Sequence, residues 1–242
     1  MRVTRIYNKG SLATGETITL SASASHHLIR VLRCKADTAV TLFNGTGGEF
    51  SATLINDDPK SARVLVNSFN DINRESPLKI CLLQGISRGE HMDTTIQKAT
   101  ELGVTEILPV LCERSTGLKK DRTGKKLERW HQIVISACEQ SSRNILPVIR
   151  QVVTLEEAIN SVTADTKLVL DPTATTGIKD IRYQNASVCL IAGPEGGLTE
   201  QEISACCDAG YDKLKFGPRV LRTETAAPAF ISAIQTLWGD MG

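Results

Sequence analysis

The residues predict an α/β fold preceded by a small β-rich domain, and three observations carry that prediction. From Leu78 onward, continuous apolar runs of strand length alternate with amphipathic helical segments. That alternation is the pattern of a parallel sheet covered on both faces. Before Leu78 the apolar segments are short, interleaved with polar residues and separated by turn formers, the texture of a small β-barrel. Between the two regions the polar stretch NDINRESP (70–77) closes on a proline and interrupts both patterns. The predicted division is a β-barrel domain at 1–72, a linker at 73–77 and an α/β domain at 78–242.

In the first domain ETITL (16–20), AVTLF (39–43), EFSATLI (49–55) and SARVLVNSF (61–69) read as strands, with NGTGG (44–48) as a turn. A short helix is expected over 24–33, where His27, Leu28, Val31 and Leu32 would fall on one face. In the second domain LKICLLQGI (78–86) is a buried strand. A helix follows with Met92, Ile96, Ala99 and Leu102 on one stripe, closed by Gly103. EILPVL (106–111) is the next strand, and a long helix over 124–142 aligns Leu127, Trp130, Val134, Ala137 and Ser141. Strands are expected at Val148–Val153, at KLVLD (167–171) and at VCLIA (188–192). Thr199 and Glu202 form the capping box of another helix, and KLKF (213–216) is the last strand. The final helix turns Phe230, Ala233, Ile234, Leu237 and Trp238 toward the core, with Pro228 in its first turn.

Bulk properties exclude several classes. The chain of 242 residues has a net charge of only +1, so it is no global polycation. Its opening residues lack the apolar core of a signal peptide and no run approaches membrane-spanning length, so a cytoplasmic location is expected. The seven cysteines include no C-x-x-C pair and lie mostly in apolar segments, which points to reduced core residues and no metal site. Charge is nonetheless clustered. Arg2, Arg5, Lys9, Arg30, Arg33 and Lys35 stand against Glu16 alone over 1–35. A second basic stretch spans 114–129 and includes Lys119 and Lys120. Two such patches in a near-neutral chain suit either solvated surfaces or a polyanion docked on particular faces.

Chemistry concentrates in two loops at strand ends, where open α/β sheets bind ligands. GPEGG (193–197) fits neither the dinucleotide fingerprint nor the P-loop. Glu195 would moreover repel phosphates, so a less anionic ligand is expected. The loop FGPRVLRTETAAP (216–228) packs Arg219, Arg222, Glu224 and two threonines beside Val220 and Leu221. That density of functional groups is more than a connection needs.

Together with RGEHMDTTIQKATELGVTEILPV (88–110), ERS (113–115) and EQSSR (139–143), these loops resemble the RsmE family of 16S ribosomal RNA (uracil-N3)-methyltransferases. HHLIRVLR (26–33) and VTLFNGTGGEF (40–50) are similar to that family's PUA-like RNA-binding domain. The resemblance implies a C-terminal SPOUT domain with a trefoil knot at about 191–226. It also implies S-adenosyl-L-methionine as cofactor, S-adenosylhomocysteine as product, and a homodimer packed through the knot region and final helix. No metal is implied. The cofactor would be held by Leu170, Ala192, Gly193, Pro194, Glu195, Gly196, Gly197, Phe216, Gly217, Val220, Leu221, Arg222, Thr225 and Ala226. Methyl transfer to uridine N3 needs donors for charge developing on O2 and O4 and a route for the proton. Arg219 and Arg222 are the expected donors and Glu224 the expected base or orienting carboxylate. The small-subunit 16S rRNA would be held by Arg2, Arg5, Lys9, Arg30, Arg33, Arg88, Lys119 and Lys120. Two departures stand out: Phe216 replaces an expected aliphatic residue and His91 a common lysine. A ribose 2′-O-methyltransferase of the same superfamily and a non-catalytic assembly factor remain the alternatives.

Overall fold

The computed structural model describes residues 3–116, 123–181, 183 and 187–242. The chain divides into two compact units, Met1–Glu75 with Cys138–Leu146, and Ser76–Ala137 with Pro147–Gly242.

The first unit is a five-stranded mixed sheet. Its strands are β1 (Thr4–Tyr7), β2 (Thr17–Thr19), β3 (Ala39–Phe43), β4 (Glu49–Leu54) and β5 (Arg63–Asn70), in the order β1-β3-β4-β5-β2. Only β1 and β3 are parallel; the other pairs are antiparallel. Strand alternation turns Val40 and Leu42, Ala52 and Leu54, and Val64 and Val66 onto one buried cluster with Ile6, Leu20 and Leu28. The same unit encloses a charged network. Arg5 donates to the Glu49 carboxylate and to Asn144 Oδ1 at 2.6 Å, and Arg74 pairs with the same carboxylate at 2.8 Å. Burial opposes ionisation of Glu49, yet the Arg74 and Arg5 guanidinium groups outweigh it and hold its carboxyl below the usual range.

The helical stretch of this unit departs from the prediction. Residues Ala22–His26 form α1, but His27–Val31 open into a π-turn. The wider turn rotates successive side chains away from the 3.6-residue stripe. Leu28 alone is buried; His27, Val31 and Leu32 are exposed.

The second unit carries a seven-stranded sheet whose pairs are all parallel. Its strands are β6 (Lys79–Gly85), β7 (Glu106–Leu111), β8 (Val148–Ile149), β9 (Val153–Thr154), β10 (Thr166–Leu170), β11 (Ser187–Ala192) and β12 (Asp212–Leu214). The order is β12-β10-β11-β6-β7-β8, with β9 also on β7. The strand expected at Val148–Val153 is thus two short pieces. Helices α2 (Gly89–Glu101), α3 (Thr123–Ser141), α4 (Leu155–Ser161), α5 (Glu200–Asp208) and α6 (Thr223–Trp238) connect and follow the strands. Leu83, Val169, Cys189 and Ile191 pack on α4 and α5 residues such as Ala158, Ile159 and Cys206. Their alternates Leu82, Leu168 and Leu190 are equally buried, and period-2 geometry aims them at the opposite face.

Four further details differ from the sequence reading. Helix α4, capped by Thr154 with Glu157, was not foreseen, because seven residues are too few to display a stripe. Helix α6 begins at Thr223, which puts Pro228 in its second turn. The ring then removes one backbone N–H and leaves the Glu224 carbonyl without its helical donor. Leu237 on the same helix is exposed. Among the cysteines, Cys112, Cys138, Cys189 and Cys206 are buried, Cys34 and Cys81 are half-buried, and Cys207 is exposed. Burial pushes the Cys112, Cys138 and Cys206 thiols up to about 12, so they stay protonated and inert.

Candidate functional site

The carboxyl ends of β10 and β11, the loops after β11 and before α6, and the start of α6 surround one cavity of about 1100 Å³ in the second unit. Two loops build it, and the closest backbone approach is at Gly85, the last residue of β6. A Cβ there would lie 2.5 Å from Pro194 N and 2.8 Å from Gly193 C, so only glycine lets the Pro194 loop rest on this strand end. The loop turns back through the Gly197 N–H, which donates to the Pro194 carbonyl at 2.9 Å with Gly197 at φ +69. A hydrogen-bond chain then ties both loops together. Gln84 Nε2 donates to Thr223 Oγ1 at 3.1 Å, and that hydroxyl donates to the Gly193 carbonyl at 2.8 Å. Across the mouth, Arg114 Nη1 donates to the Gly196 carbonyl at 2.9 Å.

Acidic groups in the wall are individually anchored. Glu195 accepts from the Arg88 N–H at 2.7 Å. Burial works against its charge. The backbone donors of Arg88 and Glu195, the nearby His91 and the Ser87 hydroxyl outweigh that and lower its carboxyl below the usual range. Asp171, buried just past β10, accepts from the Thr173 N–H at 2.8 Å and its hydroxyl at 2.7 Å. Glu224 stands opposite, with His91 Nδ1 3.1 Å from its Oε1 and Arg222 Nη1 4.0 Å from the same oxygen. Glu224 keeps 17% of its side chain exposed against 82% for Arg222, so the carboxylate is held while the guanidinium is free to swing.

Most of the predicted residues meet here. Leu170 and the run from Ala192 to Gly197 line one side, and Val220, Leu221, Arg222, Glu224 and Ala226 the other. Four do not line it. Phe216, Gly217, Arg219 and Thr225 line a neighbouring cavity of about 680 Å³, which shares Leu221 with the first. Phe216 meets Phe230 edge-on at 5.5 Å. Arg222 thus lines the first cavity and Arg219 the neighbouring one.

The basic residues also separate. Lys9, Arg30 and Arg33 are exposed in the first unit, and Arg88 is exposed in the second. Arg5 is turned inward: 7% of its side chain is accessible, and its Nη1 and Nη2 donate to Glu49, Asn144 and the Arg143 carbonyl. Arg2, Lys119 and Lys120 lie outside the described residues.

Sequence reading missed Gly85, Gln84, His91, Arg114, Asp171 and Thr223 as site residues. Gly85 and Asp171 carried a legible signal, since each stands at the end of an apolar strand run. The others are brought in by long-range packing. Among the described residues no group of three or more His, Cys, Asp or Glu side chains is placed to hold a metal.

Comparison with known proteins places this arrangement. Residues 74–235 match the RNA methyltransferase domain family and residues 20–67 the RNA methyltransferase PUA domain family. The chain is 37% identical to the ribosomal RNA small subunit methyltransferase E of Buchnera aphidicola, across 99% of this chain and 98% of that one. Its fold superposes with a TM-score of 0.96 on a Legionella pneumophila protein described as a methyltransferase and solved with bound cofactor SAM. That protein is 41% identical, with 99% of this chain and 100% of that chain covered. A ribosomal RNA small subunit methyltransferase E from Neisseria gonorrhoeae, bound to S-adenosyl methionine, gives a TM-score of 0.93 at 39% identity over the whole of both chains. This chain belongs to the ribosomal RNA small subunit methyltransferase E family, with an RNA methyltransferase domain preceded by its PUA domain.

Proposed function

We propose that the protein is an S-adenosyl-L-methionine-dependent methyltransferase that modifies N3 of a uridine in small-subunit ribosomal RNA. The observation that carries this reading is the cavity closed between the 192–197 and 220–226 loops, in a family whose solved members hold this cofactor. The cavity fits such a molecule on chemical grounds. Its walls combine apolar side chains, among them Leu170, Leu198, Ile203 and Leu221, with main chain exposed at Gly193, Gly196 and Gly197. Apolar walls suit an adenine, and bare amides and carbonyls can read its edge. The carboxylates of Asp171, Glu195 and Glu224 suit a ligand with a sulfonium and an ammonium, while Arg114 and Lys213 suit its carboxylate. When bound, the cofactor supplies an electrophilic methyl group on a positive sulfur.

The chain's own residues supply the rest. The Gln84–Thr223–Gly193 hydrogen bonds keep the two loops at a fixed separation, so a ligand meets a formed site. Arg222 projects from the edge of this site and is placed to donate to a uracil oxygen as its charge develops. Arg219 is assigned to substrate binding in the neighbouring cavity. The exposed Lys9, Arg30 and Arg33 of the first unit are assigned to phosphate contacts that position the RNA. Assembly as a homodimer through α6 is part of the same reading, supported by exposed Val220, Leu237 and Met241. A cytoplasmic location follows from an RNA substrate of this kind, and no helix among the described residues is long and apolar enough to cross a membrane.

The test is nucleoside mass spectrometry of small ribosomal subunits incubated with protein and labelled cofactor. A labelled N3-methyluridine is expected. Label on a ribose 2′-oxygen would favour the other superfamily chemistry, and no transfer beside intact RNA binding would favour an assembly factor.

A further inference from the structure

Transfer of a methyl group to N3 leaves one proton without a destination, and the cavity holds a group built to take it. We propose that His91 is the proton acceptor, with Glu224 as the residue that sets its tautomer and orientation; this rests on the N3-methyltransferase reading. His91 lies in the first turn of α2, and its side chain is 41% exposed at the cavity wall. Its Nδ1 stands 3.1 Å from Glu224 Oε1. A carboxylate only accepts, so in the proposed arrangement Nδ1 carries the hydrogen and the lone pair resides on Nε2. No hydrogen bond to Nε2 occurs among the described residues. The arrangement is the one in which a carboxylate holds an imidazole ready as a base.

Glu224 itself is the poorer acceptor. Its Oε1 already faces His91 Nδ1 at 3.1 Å, with Arg222 Nη1 4.0 Å away. An imidazole, with an ordinary value of about 6.5 against about 4.3 for Glu, is closer to a poorly acidic N–H and works nearer neutral pH. Charged groups of both signs surround the ring. Glu224 and Arg222 face it from the start of α6, Glu195 from the loop after β11 and Arg114 from the segment after β7, while Glu90 and Asp93 flank it on α2.

The step balances. The N3–H bond breaks, its electron pair stays on nitrogen and takes the methyl carbon, and the carbon–sulfur pair returns to sulfur. The proton moves to His91 Nε2, so the positive charge that began on sulfur ends on the imidazolium. Deprotonation to solvent then resets the ring.

The experiment compares single-turnover methyl transfer across pH for wild type, His91→Gln, His91→Lys and Glu224→Gln. Calorimetry with the cofactor and nitrogen NMR of the histidine ring accompany the rates. Wild-type transfer should fall as pH drops through the imidazole range. His91→Gln should lose about 10²- to 10⁴-fold in rate with cofactor affinity unchanged. His91→Lys, which can also hold a proton but more tightly, should recover activity only at more alkaline pH. The ring spectrum should report hydrogen on Nδ1 in the wild type and a mixture in Glu224→Gln. A His91→Gln protein with the wild-type rate and pH profile overturns the assignment, and so does a His91→Lys protein whose profile is unshifted. A wild-type product methylated on ribose would instead overturn the function reading, and this assignment with it.

Discussion

Replacing Gly85 with alanine tests the idea that close backbone packing, rather than side-chain chemistry, shapes the cofactor cavity. The new Cβ would sit 2.5 Å from Pro194 N, 2.6 Å from Pro194 Cδ and 2.8 Å from Gly193 C, where ordinary contact begins at 3.4 Å. Two of those atoms are main chain and the third is a ring carbon, so no flexible side-chain tip can yield. The Gly193–Pro194 segment has to retreat by about an ångström. Overpacking of this kind costs about 1–3 kcal/mol. For a chain of this length that lowers the melting temperature by about 2–4 °C for each kcal/mol. The functional loss should be larger than the stability loss. The retreat pulls Gly193 O away from Thr223 Oγ1, now at 2.8 Å, and uncouples the loops on either side of the cavity. A misplacement of about 1 Å at a reacting centre is worth about 10²-fold in rate. Thermal unfolding followed by circular dichroism, calorimetric titration with S-adenosyl-L-methionine and a methyl-transfer assay read the three effects. A Gly85→Ala protein with unchanged melting, cofactor affinity and rate would refute the claim that this strand end and the Pro194 loop define the site.

Three further outcomes follow from individual contacts. Glu49→Gln leaves the Arg5 guanidinium, 7% exposed, without its carboxylate, and should destabilise the chain by about 3–5 kcal/mol in thermal or denaturant unfolding. Glu195→Gln should flatten the acid limb of stability. A carboxyl lowered below its ordinary value of 4.5 contributes fully at neutral pH and loses that contribution as pH falls through the lowered value. Unfolding midpoints of wild type and variant should therefore converge at strongly acidic pH, and parallel curves would contradict the assignment. Arg30→Ala with Arg33→Ala should weaken RNA binding and reduce its log–log salt dependence by about one per lost phosphate contact, with cofactor affinity untouched. An unchanged salt slope in filter binding would remove the first unit's basic residues from the RNA track.

Much of this protein was legible in its amino-acid order, because the signals concerned are local. Apolar runs announced β6, β10 and β11, and the stripe of Leu127, Trp130, Val134 and Ala137 announced α3, all buried as expected. The Thr199–Glu202 capping box and the left-handed Gly103 act within a few residues, so they could be read without knowing the fold. The same holds for the GPEGG and LRTETA loops, whose positions after apolar strands set them at the sheet edge where the cavity lies. The failures were equally local where a few residues could not contain the answer. A π-turn at His27–Val31 broke the single face expected of His27, Leu28, Val31 and Leu32, and α4 was too short for a periodic signature.

What only the tertiary structure decided is which side chains meet. Arg5 counted as a surface cation until β4 and the Cys138–Leu146 segment brought Glu49 and Asn144 against it. Arg219 and Arg222 are three positions apart, yet they line different cavities, with Leu221 lining both. His91 reaches Glu224 because parallel strands place the N-terminal ends of α2 and α6 beside one another. Such pairings depend on strand order and crossover path, which are fixed by the burial of all the apolar faces at once. No short stretch of sequence encodes that sum, so the chemistry of the site became specific only when the sheet assembled.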